Sequence, residues 1–144
     1  MNDPFDLKRF LDAQEKEYST ALSELRAGHK RSHWMWYVFP QLRGLGSSST
    51  AQIYAISSIE EAQAYLKHPV LGPRLEECTA LVNRVEGQAI DEIFGFPDNL
   101  KFRSSMTLFA RAAEDGVPYK TALEKYFGGV PDPLTMDLLR QNES

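Results

Sequence analysis

The run Asp98-Asn99-Leu100-Lys101-Phe102-Arg103-Ser104-Ser105-Met106-Thr107-Leu108-Phe109-Ala110-Arg111-Ala112-Ala113 decides the fold class. Phe102, Met106, Phe109 and Ala113 return every three or four positions, the period of one helix face. Asp98 stands where a helix starts and Gly116 lies past its end, so the spacing predicts a helix from 98 that finishes before 116.

The same punctuation repeats outward from this segment. Downstream, Pro118 opens a helix through Ala122, Leu123, Tyr126 and Phe127 that Gly128-Gly129 stops. Asp132-Pro133 then starts a last helix with Leu134, Leu138 and Leu139. Upstream, Ala89, Ile90, Ile93 and Phe94 read as a short helix ending at Gly95. Leu71, Leu75, Cys78, Val82 and Val85 make a longer one closing near Gly87. Ser57 with Glu60 three residues on reads as a capping box for a helix that ends before Pro69. At the N-terminus, Asp3-Pro4 signals cap and first turn, and Leu7, Phe10, Leu11, Tyr18, Leu22 and Leu25 form a stripe closed by Gly28. Ser32 is read as the cap of a short helix from His33 to Phe39, stopped by Pro40. Residues 41–50 read as a loop, or a loop entering a helix, and Ile53 to Ile56 fits either a helical turn or a short extended piece. No segment keeps up apolar–polar alternation, which argues against a sheet-based fold. With no repeat, low-complexity tract or linker, the expectation is all-α: a single multihelical globular domain over residues 1–144.

Composition sets limits on partners. Of 144 residues, 42% are hydrophobic and 25% charged, values of an ordinary globular chain. The net charge of −4 argues against general affinity for nucleic acid or anionic lipid. The single Cys78 excludes an internal disulfide framework and a multi-cysteine zinc site. Residues 1–10 lack a signal-peptide core, and the apolar run 34–39 is too short to span a bilayer, so a soluble, cytoplasmic protein without a membrane partner is expected.

Two regions are dense enough to carry chemistry. The first runs from Lys30 to Ser47. It holds both tryptophans, Trp34 and Trp36, with His33, Tyr37, Phe39 and Gln41, and passes into Arg43-Gly44-Leu45-Gly46-Ser47. Aromatics at helical spacing fit a core helix as well as the wall of a site for a flat ring. The Gly/Ser loop can turn amides toward an anion, but it lacks the Lys-Ser/Thr of a phosphate-binding Walker loop and fits a plain connection too. The second region is the helix opened above. Asp98, Lys101 and Ser105 form a polar line beside its apolar stripe, with Ser104 adjacent. Asp98 fits an ordinary N-cap, and the hydroxyls fit bonds back to the preceding turn. If the line faces a cavity, it offers a carboxylate, an ammonium and hydroxyls. His29 and His33 lack a third ligand nearby, so no metal is expected. Nothing implies a redox cofactor, and Cys78 reads as a packing residue.

At these regions the chain resembles a bacterial and fungal family designated domain of unknown function 1810. The resemblance rests on Lys30 with 33–42, on Gly44-Leu45-Gly46, on Tyr65-Leu66 with 68–72 and Arg74-Leu75, and on Phe94-Gly95 with Asp98, Lys101 and 104–109. It implies an all-helical fold and no activity, substrate or catalytic residue. Some members carry a calpastatin label, but a calpain-inhibitory segment should be disordered and poor in aromatics, whereas this chain is 11% aromatic.

The functional expectation is a small-molecule pocket between the two regions for an anionic, planar ligand, nucleotide or ADP-ribose-like. Lys30, Trp34, Trp36, Gln41, Arg43, Gly44, Gly46, Ser47, Lys101, Ser104 and Ser105 would bind it. Asp98 and His33 would be the proton-transfer groups if a reaction occurs, a hydrolytic one. The alternative is a protein-interaction module using residues 34–39 as an aromatic patch.

Overall fold

Asp3 caps the first helix from a distance. Its carboxylate accepts hydrogen bonds from the Leu7 and Lys8 amides at 2.8 and 3.0 Å, across a turn in which Asp6 takes φ +53°. Helix α1 therefore runs Lys8–Arg26 and starts later than Pro4 would place it. Its far end closes as the glycine at 28 predicts. Gly28, at φ +71°, donates to the Leu25 carbonyl and His29 donates to that of Glu24, the paired bonds of a Schellman cap.

The computed structural model describes residues 3–143. Among them follow α2 (Met35–Val38), α3 (Ser49–Ile53), α4 (Ile59–Lys67), α5 (Leu71–Arg84), α6 (Ile90–Phe94), α7 (Asp98–Ala112), α8 (Val117–Phe127) and α9 (Pro133–Glu143), and no strand. The chain is all-α, as its periodicity predicts. No helix among the described residues is long and apolar enough to cross a membrane.

Three local expectations shift, each for a tertiary reason. Ser32 does not cap α2, because its hydroxyl donates to Glu24 at 2.6 Å, and Trp34 takes the cap position. The cap of α4 is Ser58 rather than Ser57, with its hydroxyl accepting from the Glu61 amide. Glu61, 2% exposed, is paired with Arg9 at 2.8 Å and accepts from the amide and hydroxyl of Ser57. That buried pair sets the register one residue on. The ambiguous stretch from Ile53 to Ile56 proves to be both things. Ile53 ends α3, while Ile56 forms a parallel bridge with Leu42, closed by bonds of 2.8 Å (Ile56 to Gln41) and 2.7 Å (Arg43 to Ile56). Both ends of the loop containing α3 are thereby tied together.

Helix α7 is the hub, packing against α4, α6, α8 and α9, while α5 packs against α1, α4 and α8. Around Phe102 the rings of Phe39 and Phe94 lie at 5.1 and 4.9 Å, and Tyr65 joins Phe109 to Phe10 in the other half of the core. The close crossing of α4 and α5 requires Gly72: a Cβ there would lie 2.1 Å from the Leu66 carbonyl oxygen. These contacts hold the N-terminal turn of α7 beside the segment that follows α1.

Candidate functional site

After the Schellman turn, the Lys30 amide donates to the Ile93 carbonyl at 2.7 Å, which lays the chain against α6 and directs it toward α7. Glu24 then organises the next residues. Its Oε1 accepts from the amides of Arg31 and Ser32 and from the Trp34 indole at 2.8, 3.0 and 2.9 Å, and its Oε2 accepts from the Ser32 hydroxyl. Burial acts to raise the Glu24 pKa, but those four hydrogen bonds together outweigh it and hold the carboxyl down to about 2.

On this platform the Lys30 ammonium reaches Asp98 Oδ2 at 2.8 Å, bonds the Ser32 carbonyl and lies 5.2 Å from the Trp34 ring centre. Lys101, one turn into α7, approaches the other Asp98 oxygen at 3.4 Å and sits 4.9 Å from the ring centre of Trp36. Asp98 is the first residue of α7 rather than its cap; the cap position is Pro97. Two ammonium groups share one carboxylate, and the closer, more buried one is Lys30. One positive charge is left in excess, on the side of Lys101 and Trp36.

Beyond Lys101 opens a hollow of about 440 Å³. It is lined by Trp36, Gln41, Gly46, Ser47 and Ser48 from α2 and the segment leading to α3, by Pro97, Leu100, Lys101 and Ser104 from α7 and its cap, and by Asp132 and Leu134 at the start of α9. Six residues expected to bind a ligand therefore face one space: Trp36, Gln41, Gly46, Ser47, Lys101 and Ser104. Lys30 and Asp98 stand behind Lys101 as its ionic support.

The remaining expectations are corrected by burial or position. Trp34 is 0% exposed, with Phe39 and Phe94 at 6.2 and 6.5 Å, so it is core and has no face for a ligand. Ser105 is equally buried and its hydroxyl has no partner among the described residues. Arg43 and Gly44 lie beyond the bridge: Arg43 lines a separate hollow with Arg9 and Ser57, and Gly44 faces Leu138 of α9. His33 is exposed; its carbonyl accepts from Tyr37, and its imidazole makes no hydrogen bond among the described residues. No contact joins it to Asp98, whose oxygens are both taken by lysines, so the two do not form an acid–base pair in this arrangement. A helix does begin at Ser49, but it is five residues long and the Ser48 hydroxyl occupies its Ala51 amide. Nor is the stretch 34–39 an exposed patch: Met35, Val38 and Phe39 are buried with Trp34.

Sequence reading missed Glu24, whose partners follow it across a turn, and the part Asp132 plays in the wall as well as in capping α9. Leu100 also went unmarked, although it falls outside the apolar stripe of its helix and is 47% exposed; Leu134 was read only as part of the apolar period of the last helix, and it is 64% exposed. Among the described residues no three His, Cys, Asp or Glu side chains gather as a metal site would require.

Fold and hollow together define an all-helical protein with an amphiphilic recess beside the first turns of its hub helix. The chain belongs to the family described as "Protein of unknown function (DUF1810)", which matches residues 4–139. It is similar to a solved crystal structure, the conserved hypothetical protein Rv1873 from Mycobacterium tuberculosis. The two are 62% identical with a TM-score of 0.95, over 96% of this chain and 99% of that one. No curated protein matches the chain.

Proposed function

We propose that the hollow between Trp36 and α7 binds a small anionic ligand with a flat ring, of nucleotide or ADP-ribose type. The observation that carries the reading is the pairing of Trp36 with Lys101 at 4.9 Å in the lining of the hollow. The indole offers a face for a ring, and the ammonium carries the charge that Lys30 and Asp98 leave in excess. Leu100 and Leu134 present apolar surface on the same hollow, where a planar group shields them from water. Ser47 and Gln41 add hydrogen-bonding groups around the edge. The reading is one of binding: Asp98 serves by fixing two ammonium groups and not as a free base.

Thermal denaturation with ADP-ribose and with AMP tests it. Ligand at a hundred times its dissociation constant stabilises by about 2.7 kcal/mol, which for a chain of this size raises Tm by about 5–10 °C. The shift should disappear in Trp36→Ala and Lys101→Met. No shift with either compound at millimolar concentration, or a shift unchanged in both variants, overturns the reading.

A further inference from the structure

Asp132 lines the hollow and is held more firmly than a cap requires. Its amide donates to the Thr107 hydroxyl at 2.8 Å, and that hydroxyl donates in turn to the Arg103 carbonyl at 2.9 Å. Its Oδ2 accepts from both the amide and the hydroxyl of Thr135, at 2.9 and 2.6 Å. Thr107 and Thr135 are 1% and 0% exposed, so two helices lock the residue from beneath. One oxygen is thereby consumed by capping. The other, Oδ1, has no hydrogen-bond or ionic partner among the described residues, although Asp132 lines the same hollow as Lys101.

An anchored carboxylate oxygen with both lone pairs free is an acceptor for hydroxyl groups, and it repels anions. With Lys101 in the same lining, the hollow makes two opposite demands. At Lys101 the ligand must present negative charge; at Asp132 it must present O–H donors. A ring on Trp36 with only phosphates around it would satisfy the first and be repelled by the second. Vicinal hydroxyls on a sugar, between ring and phosphate, satisfy both, and a carboxylate bonded to a ribose hydroxyl is a general solution in nucleotide sites. We infer that Asp132 Oδ1 accepts the ribose hydroxyls of the ligand, so that the site takes ribosyl phosphates and discriminates against their deoxy counterparts.

This inference rests on the ligand reading above, and the test separates the two. AMP and 2′,3′-dideoxy-AMP are titrated calorimetrically into the full chain, and then into Asp132→Ser and Asp132→Asn. Serine and asparagine both cap helices well, so α9 is retained, which circular dichroism and Tm verify. The expected result is at least tenfold weaker binding of the dideoxy compound to the native protein. Asp132→Ser should weaken AMP by a similar factor and leave the dideoxy compound bound as well as before or better, since a repelling charge is gone, with Asp132→Asn in between. Equal affinity of the native protein for the two compounds overturns the hydroxyl assignment while leaving the ligand reading standing. Unchanged AMP affinity in a folded Asp132→Ser protein does the same. Absence of binding by AMP, its dideoxy form and ADP-ribose alike overturns both.

Discussion

Replacing Glu24 tests the platform on which the site is built. In Glu24→Ala the Trp34 indole N–H, fully buried, loses its acceptor, and so do the amides of Arg31 and Ser32. A buried donor left without a partner costs about 1–3 kcal/mol and the two part-exposed amides less, about 3–4 kcal/mol in total. Tm should fall by about 6–15 °C. Glu24→Gln keeps one acceptor oxygen and should cost about 1–2 kcal/mol near neutral pH.

The two states of the carboxyl give this prediction a pH signature. Its native pKa is held from 4.5 down to about 2, so the native chain retains the ionised form more strongly than the unfolded chain does. The associated stability is complete above the unfolded value and is lost as pH falls through the native one. At full strength the shift corresponds to about 3 kcal/mol. The group is partly exposed, and solvent screening leaves about 1–2 kcal/mol. Urea melts of native protein and Glu24→Gln at pH 6.5, 4.5, 3.5 and 2.5 measure it. The stability gap should be constant from pH 6.5 to about 5 and shrink toward zero by pH 2.5. A gap that stays the same at every pH refutes the claim that the ionised carboxylate holds residues 31–34.

Two further substitutions probe packing and charge. Asp98→Ala leaves the Lys30 ammonium, on a side chain 7% exposed, without its carboxylate and should destabilise by about 3 kcal/mol. Lys30→Met should cost less, because Asp98 keeps Lys101, and in the double variant the costs should be clearly less than additive in chemical denaturation; strict additivity counts against a coupled pair. Gly72→Ala drives a methyl group into the Leu66 carbonyl, so α4 and α5 must separate and Tm should drop by more than 8 °C, equivalent to over about 3 kcal/mol. A Tm within 2 °C of native would show that the crossing has slack.

How much of this was legible beforehand follows from the range of the forces involved. Helix existence and type were readable because apolar period and end signals are local. Gly95 and Gly128 each close a helix at positive φ, as their positions in the pattern imply, whereas Gly116, also at positive φ, caps the start of α8 rather than the end of α7. Shifts of one to several residues arose where a distant partner competed for a local signal. Ser32 was taken by Glu24, Glu61 by Arg9, and Asp3 reached past a turn to Leu7 and Lys8. At the site, the polar line from Asp98 to Lys101 was visible as helical spacing, and Trp36 was separated from Trp34 only by the fold. Adjacent tryptophan positions two residues apart point in different directions, and nothing local says which direction is inward. Asp132 was legible as a cap and not as a wall, because capping uses one carboxylate oxygen and sequence says nothing about the other.

The bridge between Leu42 and Ile56 has a consequence for how this recess can diversify. Two backbone hydrogen bonds pinch the base of the segment that carries Gly46, Ser47 and Ser48. Side chains above the pinch can be exchanged, lengthened or shortened with the base still registered on the core, since closing a somewhat longer loop costs only tenths of a kcal/mol. One flank of the recess is thus a replaceable cassette clipped to a rigid frame, and grafts at 44–54 are the natural place to engineer new ligand preferences.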